Sequence, residues 1–157
     1  MLKPPLLRQK AKLQWFRRDR HVLSTTSAAA SSSLGATILI PAYNEENGIG
    51  PVLDQLHRVM TDSGLEYEIL VVDDGSRDRT ADVVRQHDVQ LVQHRVNRGY
   101  GAALKTGLRQ AKYEIIVITD ADGTYPNERI PELIAEMHDC DMVVGARTGA
   151  NTHRSEE

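Results

Sequence analysis

The chain has 157 residues, 40% of them hydrophobic and 26% charged, proportions that suit one globular domain with its own core. Its single cysteine, Cys140, excludes an intrachain disulfide, and no apolar run approaches the ~18 residues needed to span a bilayer. The net charge of −3 hides an asymmetry: seven of the 19 Lys/Arg, against Asp19 as the only acid, fall in residues 1–35, so the remainder is acidic.

Residues 1–35 mix Lys3, Arg8, Lys10, Lys12, Arg17, Arg18 and Arg20 with Leu2, Leu6, Leu7, Trp15 and Phe16, and end in the low-complexity run STTSAAASSSLG. This composition predicts an extension outside the core, and three readings of it stay open. It is a disordered basic arm, a segment making peripheral membrane contact on anionic lipid, or an Arg- and Ser-rich organellar presequence. No continuous apolar stretch follows the charges, which argues against a secretory signal. The acidic body lacks a basic face and an interleaved aromatic platform, which argues against nucleic acid as a partner. A cytoplasmic location is the expectation, at the cytoplasmic face of a membrane if the basic tail engages lipid.

From Ala36 the run ATILIPAYNEE predicts a first buried strand ended by Pro41. Ile49, Val52, Leu53, Leu56, Val59 and Met60 recur at helical spacing up to Gly64, with Asn47 as a candidate cap. Tyr67 to Val72 reads as a second strand, DDGSRDRT as a turn leading into a short helix over 80–87, and Val89 to Gln93 as a short third strand. The loop NRGYG opens a helix carrying Ala103, Leu104, Gly107, Leu108 and Ala111. Glu114 to Thr119 forms the next strand, Pro126 and Asn127 introduce a helix with Ile130, Leu133, Ile134 and Met137, and Asp141 to Val144 supplies one more strand. Short apolar strands alternating with helices predict an α/β/α sandwich around a mostly parallel sheet, whose ligands bind beyond the carboxyl ends of the strands.

Four polar clusters fall at those ends: PAYNEE, DDGS, DAD and GAR. In the third, the apolar strand stops at Asp120-Ala121-Asp122. If extended geometry persists through Ala121, both carboxylates project to one side, a pair that is costly to ionise without a cation between them and that suits Mg²⁺ or Mn²⁺. DADGT also fits the signature of haloacid dehalogenase-like phosphatases, in which the first aspartate is a nucleophile. That chemistry needs a later lysine, and none follows Asp122.

Taken together and in order, ILIPAYNEE, VVDDGSRDRT, NRGYGAALKTG, DADGTYP and DMVVGAR resemble the nucleotide-sugar-binding half of inverting family 2 glycosyltransferases with a GT-A fold. The likeness is greatest to the branch that makes dolichyl- or polyprenyl-phosphate sugars, and it covers about Ala36 to Arg147. It implies a donor-binding domain over 36–148, preceded by the 1–35 extension and followed by a polar tail over 149–157. It also implies a UDP- or GDP-sugar donor bound by Pro41, Ala42, Tyr43, Glu45, Asp73, Asp74, Arg98, Asp120 and Ala121, with Gly99 and Gly101 letting backbone approach it. Asp74 would accept a hydrogen bond from the base. Asp120 and Asp122 would hold Mg²⁺ or Mn²⁺, and Asp122 and Arg147 would act at the reacting diphosphate. Thr124 stands where the branch often carries an amide side chain. A polyprenyl phosphate acceptor is already an anion and needs little help from a base. On this reading the chain corresponds to the donor-binding half alone, so a catalytically inactive nucleotide-sugar-binding domain is the alternative to a transferase.

Overall fold

The computed structural model describes the backbone of residues 6–9 and residues 35–146 in full. The chain divides into two compact units, 32–131 and a second made of 1–31 with 132–157.

The larger unit is built on a four-stranded sheet, all parallel, of β2 (Gly35–Ala42), β3 (Glu66–Asp73), β4 (Gln90–Gln93) and β5 (Ile115–Ile118), in the order β4-β3-β2-β5. Every residue of β2 is buried, as a strand flanked on both edges and covered on both faces must be. The crossovers are helices: α1 (Ile49–Ser63) between β2 and β3, α2 (Thr80–Val84) between β3 and β4, and α3 (Tyr100–Gln110) between β4 and β5. The chain winds one way from β2 to β4 and then crosses back to β5, so the strand order reverses between β2 and β5, the place where ligands settle in open α/β sheets.

Side chains alternate across the strands, and one face of the sheet gathers Leu39, Leu70 and Val72 under Ala103 of α3, with Val92, Leu104 and Ile116 packed around them. Gly107 of α3 lies so close to Leu39 that a Cβ there would come within 2.2 Å of Leu39 Cδ1, so helix and sheet approach at glycine distance. Ile38, Ile40, Ile69 and Val71 alternate to the opposite face and are equally buried; α2 packs against β3 and β4, and α1 packs against α2. Helix α1 buries Ile49, Val52, Leu53, Leu56 and Met60 along one stripe and ends at Gly64, whose φ of 68° is the left-handed stop expected from sequence.

Two local expectations are corrected. Asn47 is not the cap of α1: Gly48 occupies that position, with no side-chain cap bond, because a Cβ at residue 48 would meet Ala121 O at 2.8 Å. Helix α3 buries only the narrow stripe of Ala103 and Gly107 and leaves Leu108 52% exposed. Pro41 does not end the first strand, which runs on to Ala42. Pairing with β5 stops at Leu39–Ile118, with Thr119 N–H donating to Leu39 O at 3.2 Å, whereas pairing with β3 continues to Ala42–Asp73. By alternation Pro41 shares the β5 side of Leu39, where no further strand residue asks for its absent N–H.

In the second unit, β6 (Met142–Gly145) pairs antiparallel with β1 (Leu6–Gln9), from Leu6–Gly145 to Gln9–Met142, forming a two-stranded sheet separate from the parallel one. The strand expected over 141–144 is therefore present, but its partner comes from the basic N-terminal stretch. Helix α4 (Ile130–Ala135) and a 3₁₀ turn over Glu136–Asp139 lead into it.

Candidate functional site

Four loops leave the carboxyl ends of β2, β3, β4 and β5 and meet on one rim. The loop after β2 turns sharply at Asn44, the only non-glycine among the described residues with positive φ (57°), a conformation that asparagine tolerates better than most side chains. It is laced to the loop after β3. Asn44 N–H donates to Ser76 Oγ (2.9 Å), Arg77 N–H to Asn44 Oδ1 (2.9 Å), Glu45 N–H to Thr80 Oγ1 (2.8 Å) and Glu46 N–H to Asp78 Oδ2 (3.1 Å). Asp78 also receives the Thr80 amide at 2.9 Å and the Thr80 hydroxyl at 2.5 Å. Burial pushes the Asp78 carboxyl up, but the hydrogen bonds from Thr80 and the Glu46 amide outweigh it and hold its pKa below the ordinary aspartate value.

The aspartates after β5 are not placed as extended alternation predicts. The strand ends at Ile118, and Ala121 and Asp122 lie in a turn that closes with the Thr124 amide donating to Asp122 Oδ1 at 2.9 Å and with Gly123 at φ 75°. Thr124 thus meets Asp122 through its backbone. The loop is tied down at its base: buried Thr119 donates its hydroxyl to Asn127 Oδ1 (2.7 Å), and Asn127 Nδ2 reaches Gln55 Oε1 on α1 (3.3 Å). Ala121 is buried, with its carbonyl against Gly48, while Asp120 is half-buried and Asp122 exposed.

These loops bring carboxylates together. The pKa of half-buried Glu45 is raised first by burial and then by the negative charges of Asp122, Asp78 and Asp120. Glu45 Oε2 and Asp122 Cα both lie within 3.4 Å of the point where a Cβ on Gly48 would fall, so the loop after β5 reaches the loop after β2 through a turn instead of a strand. Tyr100, at the start of α3, has its phenol pKa raised by burial and by the nearby groups of Asp120 and Tyr125. Tyr43, Tyr100 and Tyr125 are 40%, 57% and 43% exposed, so the rim offers ring surface beside its carboxylates. A hard divalent cation fits this donor set. Among the described residues no three His, Cys, Asp or Glu side chains form a complete ligand group, and Mg²⁺ is commonly held by one or two carboxylates with phosphate and water supplying the rest.

Pro41 and Ala42 are buried at the end of β2, and Tyr43 stands exposed beyond them. Arg98 is exposed and Gly99 takes φ 89°, whereas a Cβ at Gly101 would meet nothing, so no close approach requires glycine there. Asp73 is buried and spends its carboxylate internally, accepting from the Ser76 amide and from Gln93 Nε2, each at 2.9 Å. Asp74, expected to meet the base, is also turned inward. Its oxygens accept from His94 Nδ1 (2.5 Å), Arg98 N–H (3.0 Å to each oxygen) and Gly99 N–H (2.6 Å). Burial raises the Asp74 pKa, but the bonds from His94, Arg98 and Gly99 more than reverse this and lower it. Arg147 lies outside the described residues. Sequence reading missed Asp78, His94, Tyr100 and Asn127. Asp78 carried a usable signal, a Ser/Asp/Thr-rich turn before a helix, and the other three act through tertiary contacts that local pattern does not encode.

A parallel sheet whose strand order reverses between β2 and β5, with carboxylates on the loops at that rim, is the arrangement in which open α/β domains bind ligands. The Glycosyl transferase family 2 model matches residues 37–157, and the chain belongs to that family. It is 37% identical over 119 residues to an undecaprenyl-phosphate 4-deoxy-4-formamido-L-arabinose transferase of Pseudomonas fluorescens, covering 72% of this chain and 35% of that protein. It is 32% identical to a dolichol-phosphate mannosyltransferase of Pyrococcus furiosus, covering 71% and 32%. The match thus spans about a third of the length of these relatives. Among solved structures, a Pyrobaculum calidifontis mannosyltransferase in complex with GDP-Man and Mn²⁺ superposes with a TM-score of 0.54 at 31% identity, covering 66% of this chain and 32% of that one. Glucosyl-3-phosphoglycerate synthase of Mycobacterium tuberculosis, with Mn²⁺, UDP and glucosyl-3-phosphoglycerate, gives 0.58 at 28% identity, covering 68% and 40%. The fold is that of the GT-A glycosyltransferases.

Proposed function

We propose that residues 36–148 bind a UDP- or GDP-sugar with a divalent cation, Mg²⁺ or Mn²⁺, and serve the inverting transfer of its sugar to a polyprenyl phosphate. The observation that carries this reading is the placement of Glu45, Asp120 and Asp122 on the loops at the point where the strand order reverses, in a chain of this family. The relatives support the acceptor class, since they are an undecaprenyl-phosphate and a dolichol-phosphate sugar transferase. Complexes of structural neighbours with GDP-Man or UDP and Mn²⁺ support the donor and the ion.

In this reading Asp120 and Asp122 hold the cation, which neutralises charge on the departing nucleoside diphosphate. The proline-shaped backbone at Pro41 and Ala42 and the ring of Tyr43 wall the nucleoside, and Glu45 accepts sugar hydroxyls. Arg98 offers a permanent planar cation to the diphosphate from the loop after β4. Arg147 is assigned the same task from sequence alone. The phosphate oxygen of the acceptor attacks the anomeric carbon as the bond to the nucleoside diphosphate breaks, and no proton need leave the nucleophile.

Calorimetric titration of the full chain with UDP- and GDP-sugars, with and without Mn²⁺, tests the reading. Heat for one donor in the presence of Mn²⁺, lost in Asp120→Asn/Asp122→Asn, is expected. Silence from both donors would refute it.

A further inference from the structure

We infer that His94 is a positioning residue for the donor site: through Asp74 it fixes the backbone of Arg98 and Gly99, and with it the Arg98 side chain and the entry to α3. This deepens the nucleotide-sugar reading and rests on it.

The side chains of His94 and Asp74 are 7% and 4% exposed, so neither is available to a ligand on the rim. Both ring nitrogens of His94 are committed. An ionised carboxylate only accepts, so Nδ1 carries the proton it gives to Asp74, and in the neutral ring Nε2 accepts from the hydroxyl of Thr106 on α3, 2.9 Å away. Asp74 passes the constraint on. Its two oxygens take the amides of Arg98 and Gly99, so two successive N–H groups of the loop point into the protein while the Arg98 side chain points out. Gly99 completes the turn at φ 89°, and its N–H also donates to Asn97 Oδ1 at 3.1 Å.

The same loop rests on the turn after β3 with no slack. A Cβ at Gly75, itself at φ 76°, would stand 2.6 Å from the Val96 carbonyl carbon and 2.7 Å from the Asn97 nitrogen. One hydrogen-bonded network therefore joins the ends of β3 and β4, the loop over 95–99, and Thr106 in the second turn of α3. The residue after Gly99 is Tyr100, which opens α3. A shift of the 98–99 backbone moves Arg98 and Tyr100 together relative to the carboxylates. Groups that orient ligand-contacting residues without touching ligand commonly change affinity by 10-fold or more when removed.

The test compares His94→Leu, which removes both ring partners, with His94→Asn, whose amide can donate from the place of Nδ1. UDP and GDP, each with Mn²⁺, are titrated into the full chain, and exchange of the Arg98 and Gly99 amides is followed by NMR. Affinity for whichever nucleotide the wild type binds should fall about tenfold in His94→Leu, with faster exchange at both amides, and both should recover in His94→Asn. If His94→Leu fails to fold, Thr106→Val, which removes only the Nε2 partner, should give a smaller loss of the same kind. Unchanged affinity in the folded variant, or equal losses in the leucine and asparagine variants, would overturn the inference while leaving donor binding intact. A wild type that binds neither nucleotide would overturn both.

Discussion

Asp74 and Asp78 show how one residue type, placed at one strand's end, is put to structural use. Both carboxyls titrate below the ordinary aspartate value because hydrogen bonds to their charged forms outweigh the cost of burial. A depressed folded pKa contributes stability that is complete above the unfolded value of about 3.9 and is lost as pH falls through the lower folded values. Through these two groups alone urea midpoints hold steady from neutrality to about pH 4 and then drop, so the acid limb should be shallower in Asp78→Asn. Glu45 has the opposite sign: its raised pKa is a penalty at neutral pH that acid relieves. The sequence identified Asp73, Asp74, Asp120 and Asp122 as residues of interest because aspartates after apolar runs are conspicuous. It could not say which would face the rim, since that depends on partners such as His94 and Gln93 supplied by the next strand.

At the scale of elements, the loop over 119–127 is held at two places. At its base, the Thr119–Asn127–Gln55 bonds anchor it to α1. Asn127→Ala leaves the buried Thr119 hydroxyl without its acceptor and should cost about 1–3 kcal/mol in urea unfolding. At its crest, the Ala121 carbonyl sits where a Cβ on Gly48 would fall, 2.8 Å away. Because the obstacle is backbone and not a flexible side chain, Gly48→Ala must displace the aspartate loop or the start of α1. The variant should fold yet show a smaller Mn²⁺-induced thermal shift than wild type, read by calorimetric scanning. Helix α1 and strands β2 to β5 were legible because apolar periodicity and turn residues agree at each. Gly48 was not, because its reason for being glycine lies 73 residues further along the chain.

At the scale of the molecule, α/β alternation and short connections were enough to foresee a parallel sheet, and family motifs placed its rim. The pairing of Met142–Gly145 was beyond reach: MVVG reads as a buried strand, and nothing local says that its neighbour is Leu6–Gln9. A ligand that binds only the folded chain stabilises all of it by mass action, by about 2.7 kcal/mol at one hundred times its dissociation constant. Mn²⁺ with the matching nucleotide should therefore raise the unfolding midpoint of the whole 32–131 unit as one transition, and Asp120→Asn/Asp122→Asn should not respond.

Pro41 carries a further consequence. By lacking an N–H on the side where β5 has ended, it removes the donor that the next β2–β5 rung beyond Leu39 would need and so disfavours further strand zippering. The crevice between them is thus kept open by covalent structure. Insertions or substitutions after Thr119 can reshape what the crevice receives without shifting the register of the sheet beneath it.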